Sequence, residues 1–184
     1  MAILLGVLME VIVLLAGGSL KTILRDTLSK VAWSSIVCLG VAAGASVAGK
    51  IRMPLMGLAG LIAAPAAFAS AKAVHKAFTF GAANAAGDPI SIVLLLAGMK
   101  GGEYLAFGLV PGWLACERFE KAWHYVIAGA LTGLYFGGLI ATVTLSSGKG
   151  TALPVVANEV LFPVGCALVL FTSRMLTTDE AATT

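Results

Sequence analysis

The chain has 184 residues, of which 59% are hydrophobic and only 11% are charged, and its mean hydropathy is +0.99. Soluble domains carry roughly 25% charged residues because their surfaces must meet water. This composition predicts an integral membrane protein and excludes a soluble enzyme, a nucleic-acid-binding module and a disordered regulator. The net charge of +3 is too small to indicate a polyanionic partner. We therefore expect a lipid bilayer, and no nucleic acid, around this chain.

Six apolar segments are long enough to be considered as membrane spans, since a spanning helix needs about 20 mostly apolar residues. In chain order they are 2–20, 31–49, 53–74, 89–115, 122–145 and 151–173. The first lacks the basic start and small-residue cleavage site of a signal peptide, so we expect it to remain as a helix. The connections are short, and the tail 174–184 is polar. The sequence predicts an all-α, polytopic transmembrane bundle that forms one domain over residues 1–184, with five or six spans.

The fourth segment, 89–115, carries Lys100-Gly101-Gly102-Glu103 at its centre. It either spans the membrane or turns at the glycines into a re-entrant hairpin, with arms that reach about half of the ~30 Å hydrocarbon core. If all six segments span, five of the Lys and Arg residues outside this segment lie on one side of the membrane and six on the other. If the fourth segment is a hairpin, eight of them lie on one side and three on the other. The second division obeys the positive-inside rule. Both alternatives predict a helix that is interrupted at 100–103.

Small residues recur at a spacing of four in two segments, as Gly129, Gly133 and Gly137 and as Gly40 and Gly44. Such GxxxG stripes let helix backbones approach closely in lipid. They predict helix contacts, either within this chain or with further copies or other membrane subunits. The stripes do not distinguish these alternatives, and for partners we expect a homo-oligomer or other membrane subunits.

Three carboxylates, Glu10, Glu103 and Glu159, lie within apolar segments. A charge at bilayer depth costs about 2.5 kcal/mol or more, and such residues commonly mark a path for a solute or an ion. Asn158 precedes Glu159, and Pro163 leaves the carbonyl of residue 159 without its helical donor. Lys100 stands one helical turn before Glu103 and could pair with it. We predict a solute- or ion-binding set from the residues Glu159, Asn158, Lys100, Glu103 and Glu10, and the alternative is that these carboxyl groups only fix helix register.

The sequence contains no catalytic motif, so we expect no enzyme activity. The three scattered cysteines and two histidines predict neither a metal site nor a cofactor site. The function that fits best is a membrane subunit that moves a small solute or an ion, as a transporter or channel component. The alternative is a non-catalytic structural subunit of a larger membrane complex. Basic loops and the lack of a glycosylation sequon favour a bacterial inner membrane.

Overall fold

The computed structural model describes residues 1–47, 49–78, 90–117, 119, 121–148 and 151–182. All regular structure in these ranges is helical. The α-helices are α1 (Ala2–Leu15), α2 (Ile23–Ala45), α3 (Arg52–Phe78), α4 (Ile90–Cys116), α5 (Ala122–Thr132), α6 (Gly138–Ser146) and α7 (Ala152–Ala182). A 3₁₀ turn at Leu20–Thr22 precedes α2, and a π-helical turn at Gly133–Gly137 joins α5 to α6.

Five helical stretches are long and apolar enough to cross a membrane, namely Leu20–Ala45, Arg52–Phe78, Ile90–Cys116, Ala122–Ser146 and Ala152–Met175. The remaining predicted span, the first in chain order at 2–20, forms a shorter helix than expected. Helix α1 has 14 residues, so it extends about 21 Å, less than the ~30 Å core. It stops because Gly17 adopts a positive φ of 99° and Gly18 N–H donates to the carbonyl of Val13. These features form a Schellman cap, which only a residue tolerant of left-handed backbone makes readily.

Helix α4 runs without a break through residues 100–103. The predicted interruption there is wrong, and the re-entrant hairpin is not confirmed. The glycines of this helix serve close packing against α3. A Cβ placed on Gly101 would lie 3.3 Å from Leu61, and one on Gly108 would lie 2.7 Å from the backbone nitrogen of Gly57. An uninterrupted helix also satisfies its own backbone hydrogen bonds, which a turn in mid-membrane would not.

The continuous α4 predicts the sidedness of its two ends. We expect single cysteines at position 90, where Ile90 is 77% exposed, and at position 117 to react with a membrane-impermeant thiol reagent from opposite sides. The measurement uses a background in which the three native cysteines are replaced. Labelling of both positions from the same side would contradict the spanning helix and restore the hairpin.

Consecutive long helices pack antiparallel. Gly44 faces Met56 between α2 and α3, Gly112 faces Met53 between α4 and α3, and Gly129 faces Val164 between α5 and α7. One end of the bundle therefore holds the starts of α2, α4 and α7 and the ends of α3 and α6. We call it the near end, and the opposite end the far end.

The predicted glycine stripes contact helices of the same chain. Gly40 and Gly44 face α3, where a Cβ on Gly44 would lie 2.7 Å from Met56 Cα. Gly129, Gly133 and Gly137 all face residues 159–164 of α7, and a Cβ on Gly129 would lie 2.8 Å from Val164 Cα. These stripes are thus used for packing inside the bundle.

The contact at Gly133 predicts a strong effect of a bulky side chain. We expect Gly133→Leu to lower the free energy of unfolding by about 1–3 kcal/mol or more, because its Cβ would lie 3.1 Å from the Cα of Val160. Leu131→Ala is the matched control, since Leu131 is 63% exposed and faces away from the bundle. Detergent-solubilised yield and thermal unfolding measure both variants. Equal stability of the two would contradict close packing at this position.

Candidate functional site

A buried lysine lies between two carboxylates from different helices. Lys100 Nζ is 2.8 Å from Glu103 Oε2, one turn along α4, and 2.5 Å from Glu159 Oε2 on α7. Lys100 is 7% exposed and Glu103 is fully buried. With all three groups ionised, this trio, which we call the charged centre, carries a formal charge of −1. The structure therefore brings three of the predicted site residues into one cluster.

Asn158 joins the charged centre through its neighbour. Its Nδ2 donates to Glu159 Oε1 over 3.2 Å. Two buried acceptor atoms beside these contacts, Glu103 Oε1 and Asn158 Oδ1, have no hydrogen-bond partner in the described part of the chain. An unsatisfied buried polar atom costs about 1–3 kcal/mol. The centre thus has surplus acceptors as well as surplus negative charge.

The backbone around Glu159 is shaped by a proline and a glycine. Pro163 lies inside α7 and has no N–H, so the carbonyl of Glu159 lacks its helical donor. Gly137 packs directly over that carbonyl, where a Cβ would lie 2.5 Å from the oxygen. Gly137 also ends the π-helical turn Gly133–Gly137, and π-turns occur frequently at functional sites. Because residue 137 has no side chain, the continuous helical rod formed by α5, the π-helical turn and α6 can approach the charged centre.

A cavity of about 380 Å³ leads from the near end of the bundle to the charged centre. This near cavity has Lys100, Asn158 and Glu159 at its base. Asp26, Lys72 and His75 lie around its mouth, and the walls between are mostly apolar and aromatic. The volume falls at the low end of the 300–1,000 Å³ range of small-molecule pockets. Its dimensions and its mixed lining fit a small amphipathic solute.

Aromatic rings close the bundle around the base of the near cavity. Trp33 makes edge-to-face contacts with Phe68, Tyr104 and Phe162 at centroid distances of 6.5, 6.0 and 6.4 Å. Tyr104 packs in the same way on Phe107, and both of these side chains are fully buried. We call Trp33, Tyr104, Phe107 and Phe162 the aromatic barrier. Lys100 Nζ lies 5.4 Å from the Trp33 ring, within cation–π range.

A second cavity of about 250 Å³ lies at the far end. Its lining includes Arg52, Tyr125 and Arg174, and Arg174 Nη1 donates to the Tyr125 hydroxyl over 2.8 Å. Among the described residues, this far cavity and the near cavity share no lining residue, and the aromatic barrier lies between them. The described part of the bundle therefore has a cavity toward each end and a packed region between these two cavities.

Glu10 does not belong to the charged centre. It is buried on α1 and forms an ion pair with Lys30 on α2. Lys30 also lines the near cavity. Sequence reasoning missed Lys30 as a partly buried partner because it expected α2 to begin at residue 31. It also missed the approach of Cys38 to Cys166, whose sulfur atoms are 3.8 Å apart across α2 and α7. No spacing signal connects residues 128 positions apart.

Comparison with known proteins gives no match to a family model, to a curated protein or to a solved structure.

Proposed function

We propose that this chain is a membrane transport protein that moves a small solute together with a proton or another cation held at the charged centre. The observation that carries the proposal is the buried Lys100 between Glu103 and Glu159 at the base of a cavity that reaches the near end. Ionisable groups at this depth are expensive in a membrane and commonly belong to a proton or ion path.

The charge of the centre supports cation coupling. One lysine balances one carboxylate, and the second carboxylate leaves a charge of −1 in a region of low dielectric constant. A proton or a bound cation neutralises that charge, and its loss restores it. Because Glu159 lines the cavity whereas Glu103 is fully buried, Glu159 is the carboxylate positioned to exchange its cation with the cavity.

The arrangement of cavities supports movement across the bundle. The near and far cavities lie on opposite sides of the aromatic barrier. A site at mid-depth that is reached from one side at a time is the general basis of alternating access. In this description Trp33 on α2 and Phe162 on α7 must separate for the charged centre to face the far cavity.

The setting we propose is a bacterial inner membrane, with no enzymatic step in the mechanism. The structural-subunit alternative depended on glycine stripes as docking faces for other chains. Those stripes face helices of the same chain, so no specific observation favours that alternative.

The proposal predicts the effect of Glu159→Gln. The amide keeps the shape and most hydrogen bonds of Glu159 but cannot change its charge, so we expect a folded protein without coupled uptake. Proteoliposomes that contain a pH-sensitive dye and hold an imposed pH gradient are challenged with amines, amino acids, carboxylates and sugars. After subtraction of the response of protein-free liposomes, the wild type should respond to at least one class, and Glu159→Gln to none.

Glu117→Gln is the matched control, because Glu117 is exposed at the far end and lies outside both cavities. It should respond as the wild type does. A Glu159→Gln variant with wild-type rates and pH profile would contradict the role of this carboxylate. A wild type that responds to no class would contradict transport itself.

A further inference from the structure

We infer that the base of the near cavity binds the protonated amino group of a small organic solute, and that Lys100 is the chain's own occupant of this ammonium site. The inference rests on the proposed transport function and names the chemical class of its substrate. It is carried by the contacts of Lys100, by the acceptor atoms around it and by the Trp33 ring.

The base of the cavity offers acceptors and few donors. Glu159 presents a carboxylate, and Asn158 Oδ1 is a buried acceptor without a partner among the described residues. The donors at the base are directed at the carboxylates of the charged centre, since Lys100 Nζ contacts both of them and Asn158 Nδ2 donates to Glu159. An ammonium group has three donors and no acceptor. It therefore complements this surface, and a carboxylate does not.

The surroundings of Lys100 show that the site accommodates an ammonium group. Its Nζ has carboxylate oxygens at 2.5 and 2.8 Å and the Trp33 ring at 5.4 Å. Carboxylates and an aromatic face are the usual components of a site for an organic cation. A solute ammonium at Glu159 would meet that carboxylate and the Trp33 ring, which both line the cavity, and its positive charge would bring the charged centre from −1 to zero.

The walls of the near cavity limit the size and polarity of the part of the solute that extends from its amino group. Ile92, Leu96 and Ile140 line the cavity above its base, and a volume of about 380 Å³ leaves room for a short apolar chain. A monoamine with a body of a few carbon atoms fits these dimensions. A carboxylate placed at the base instead would lie against Glu159, with Glu103 behind it, and would add to the negative charge.

Four probes with the same branched apolar body test the inference: isoamylamine, leucine, isoamyl alcohol and 4-methylpentanoate. Binding to the purified full chain in detergent is measured by calorimetry and by the shift in thermal unfolding. We expect isoamylamine to bind about tenfold or more tightly than the alcohol and the carboxylate. Leucine shows whether a carboxylate beside the amine is tolerated. Binding of leucine but not of isoamylamine would show that the amine alone is insufficient and would overturn the inference as stated.

Two variants locate the binding. Asn158→Leu removes the unpartnered acceptor and only one side-chain hydrogen bond, so it should fold and should weaken amine binding. Glu159→Gln should weaken it further, and Glu117→Gln should leave it unchanged. Equal affinity for the alcohol or the carboxylate, or unchanged amine binding in both site variants, would overturn the inference.

The experiments distinguish failure of the ammonium site from failure of the proposed transport function. If amines do not bind but another class gives a Glu159-dependent response in proteoliposomes, the inference fails and the proposed function stands. If no class gives that response, the proposed function fails.

Discussion

Replacement of Lys100 with methionine is expected to lower the free energy of unfolding by about 3–5 kcal/mol. Methionine fills a similar volume but leaves Glu103 and Glu159 facing each other without the ammonium group that lies 2.8 and 2.5 Å from them. Removal of one partner from a buried ion pair is costly because the remaining charge stays in a region of low dielectric constant. Unfolding in detergent, followed by circular dichroism, measures the change.

Two further variants identify the cause of that loss. Lys100→Met combined with Glu103→Gln should recover a large part of the stability, because the double variant removes one buried negative charge as well. Lys121→Met is the control for loss of a lysine, since Lys121 is exposed before α5 and should change stability by about 0.5 kcal/mol or less. If Lys100→Met is as stable as the wild type, the charged centre does not hold α4 to α7.

A bond between Cys38 and Cys166 is expected to stop solute movement while leaving solute binding intact. The two buried sulfur atoms are 3.8 Å apart, on α2 and α7. Cys38 lies five residues after Trp33, and Cys166 lies four residues after Phe162, so both thiols lie closer to the far end than those two rings. A disulfide would tie the two helices that the proposed mechanism separates. The near cavity, whose lining includes neither thiol, should remain accessible.

The measurement uses copper–phenanthroline, with molecular oxygen accepting the two electrons that the thiols lose. A Cys116→Ser background removes the exposed third thiol. Uptake into proteoliposomes should fall to background on oxidation and return with dithiothreitol, whereas a Cys38→Ser variant should be insensitive to the oxidant. Undiminished uptake by the oxidised protein would show that α2 and α7 need not separate.

The membrane class and the helices followed directly from composition, because long apolar segments have few alternatives in lipid. The errors occurred where polar residues lie inside helices. Helix α2 begins at Ile23, before the predicted 31, because Asp26 and Lys30 have partners within the bundle. Asp26 accepts from Thr22 over 2.5 Å at the start of its own helix and lies 3.8 Å from His75 Nε2 on α3, and Lys30 pairs with Glu10 on α1. Partners from other helices remove the cost of burying such side chains, and sequence periodicity does not reveal them.

Part of the candidate site could be predicted and part could not. The spacing of Lys100 and Glu103 predicts their pairing on one helix, and that pairing is present. The addition of Glu159 depends on how α7 packs against α4, which no local pattern determines. Gly101 and Gly102 predict a break because glycine weakens helices, but Gly101 packs against Leu61 on α3. In a tightly packed membrane bundle, a missing side chain more often permits contact than it ends a helix.

The π-helical turn at Gly133–Gly137 has a consequence for the rod formed by α5 and α6. Each residue of an α-helix advances about 100° around the axis, and a π-turn takes up one residue more than an α-turn. The turn therefore offsets α6 in angular phase by about one residue relative to α5. Gly129 in α5 faces α7, whereas Ile140 and Thr144 in α6 line the near cavity. This rotation by about one residue thus allows one continuous helix to pack against α7 along α5 and to form part of the cavity wall along α6.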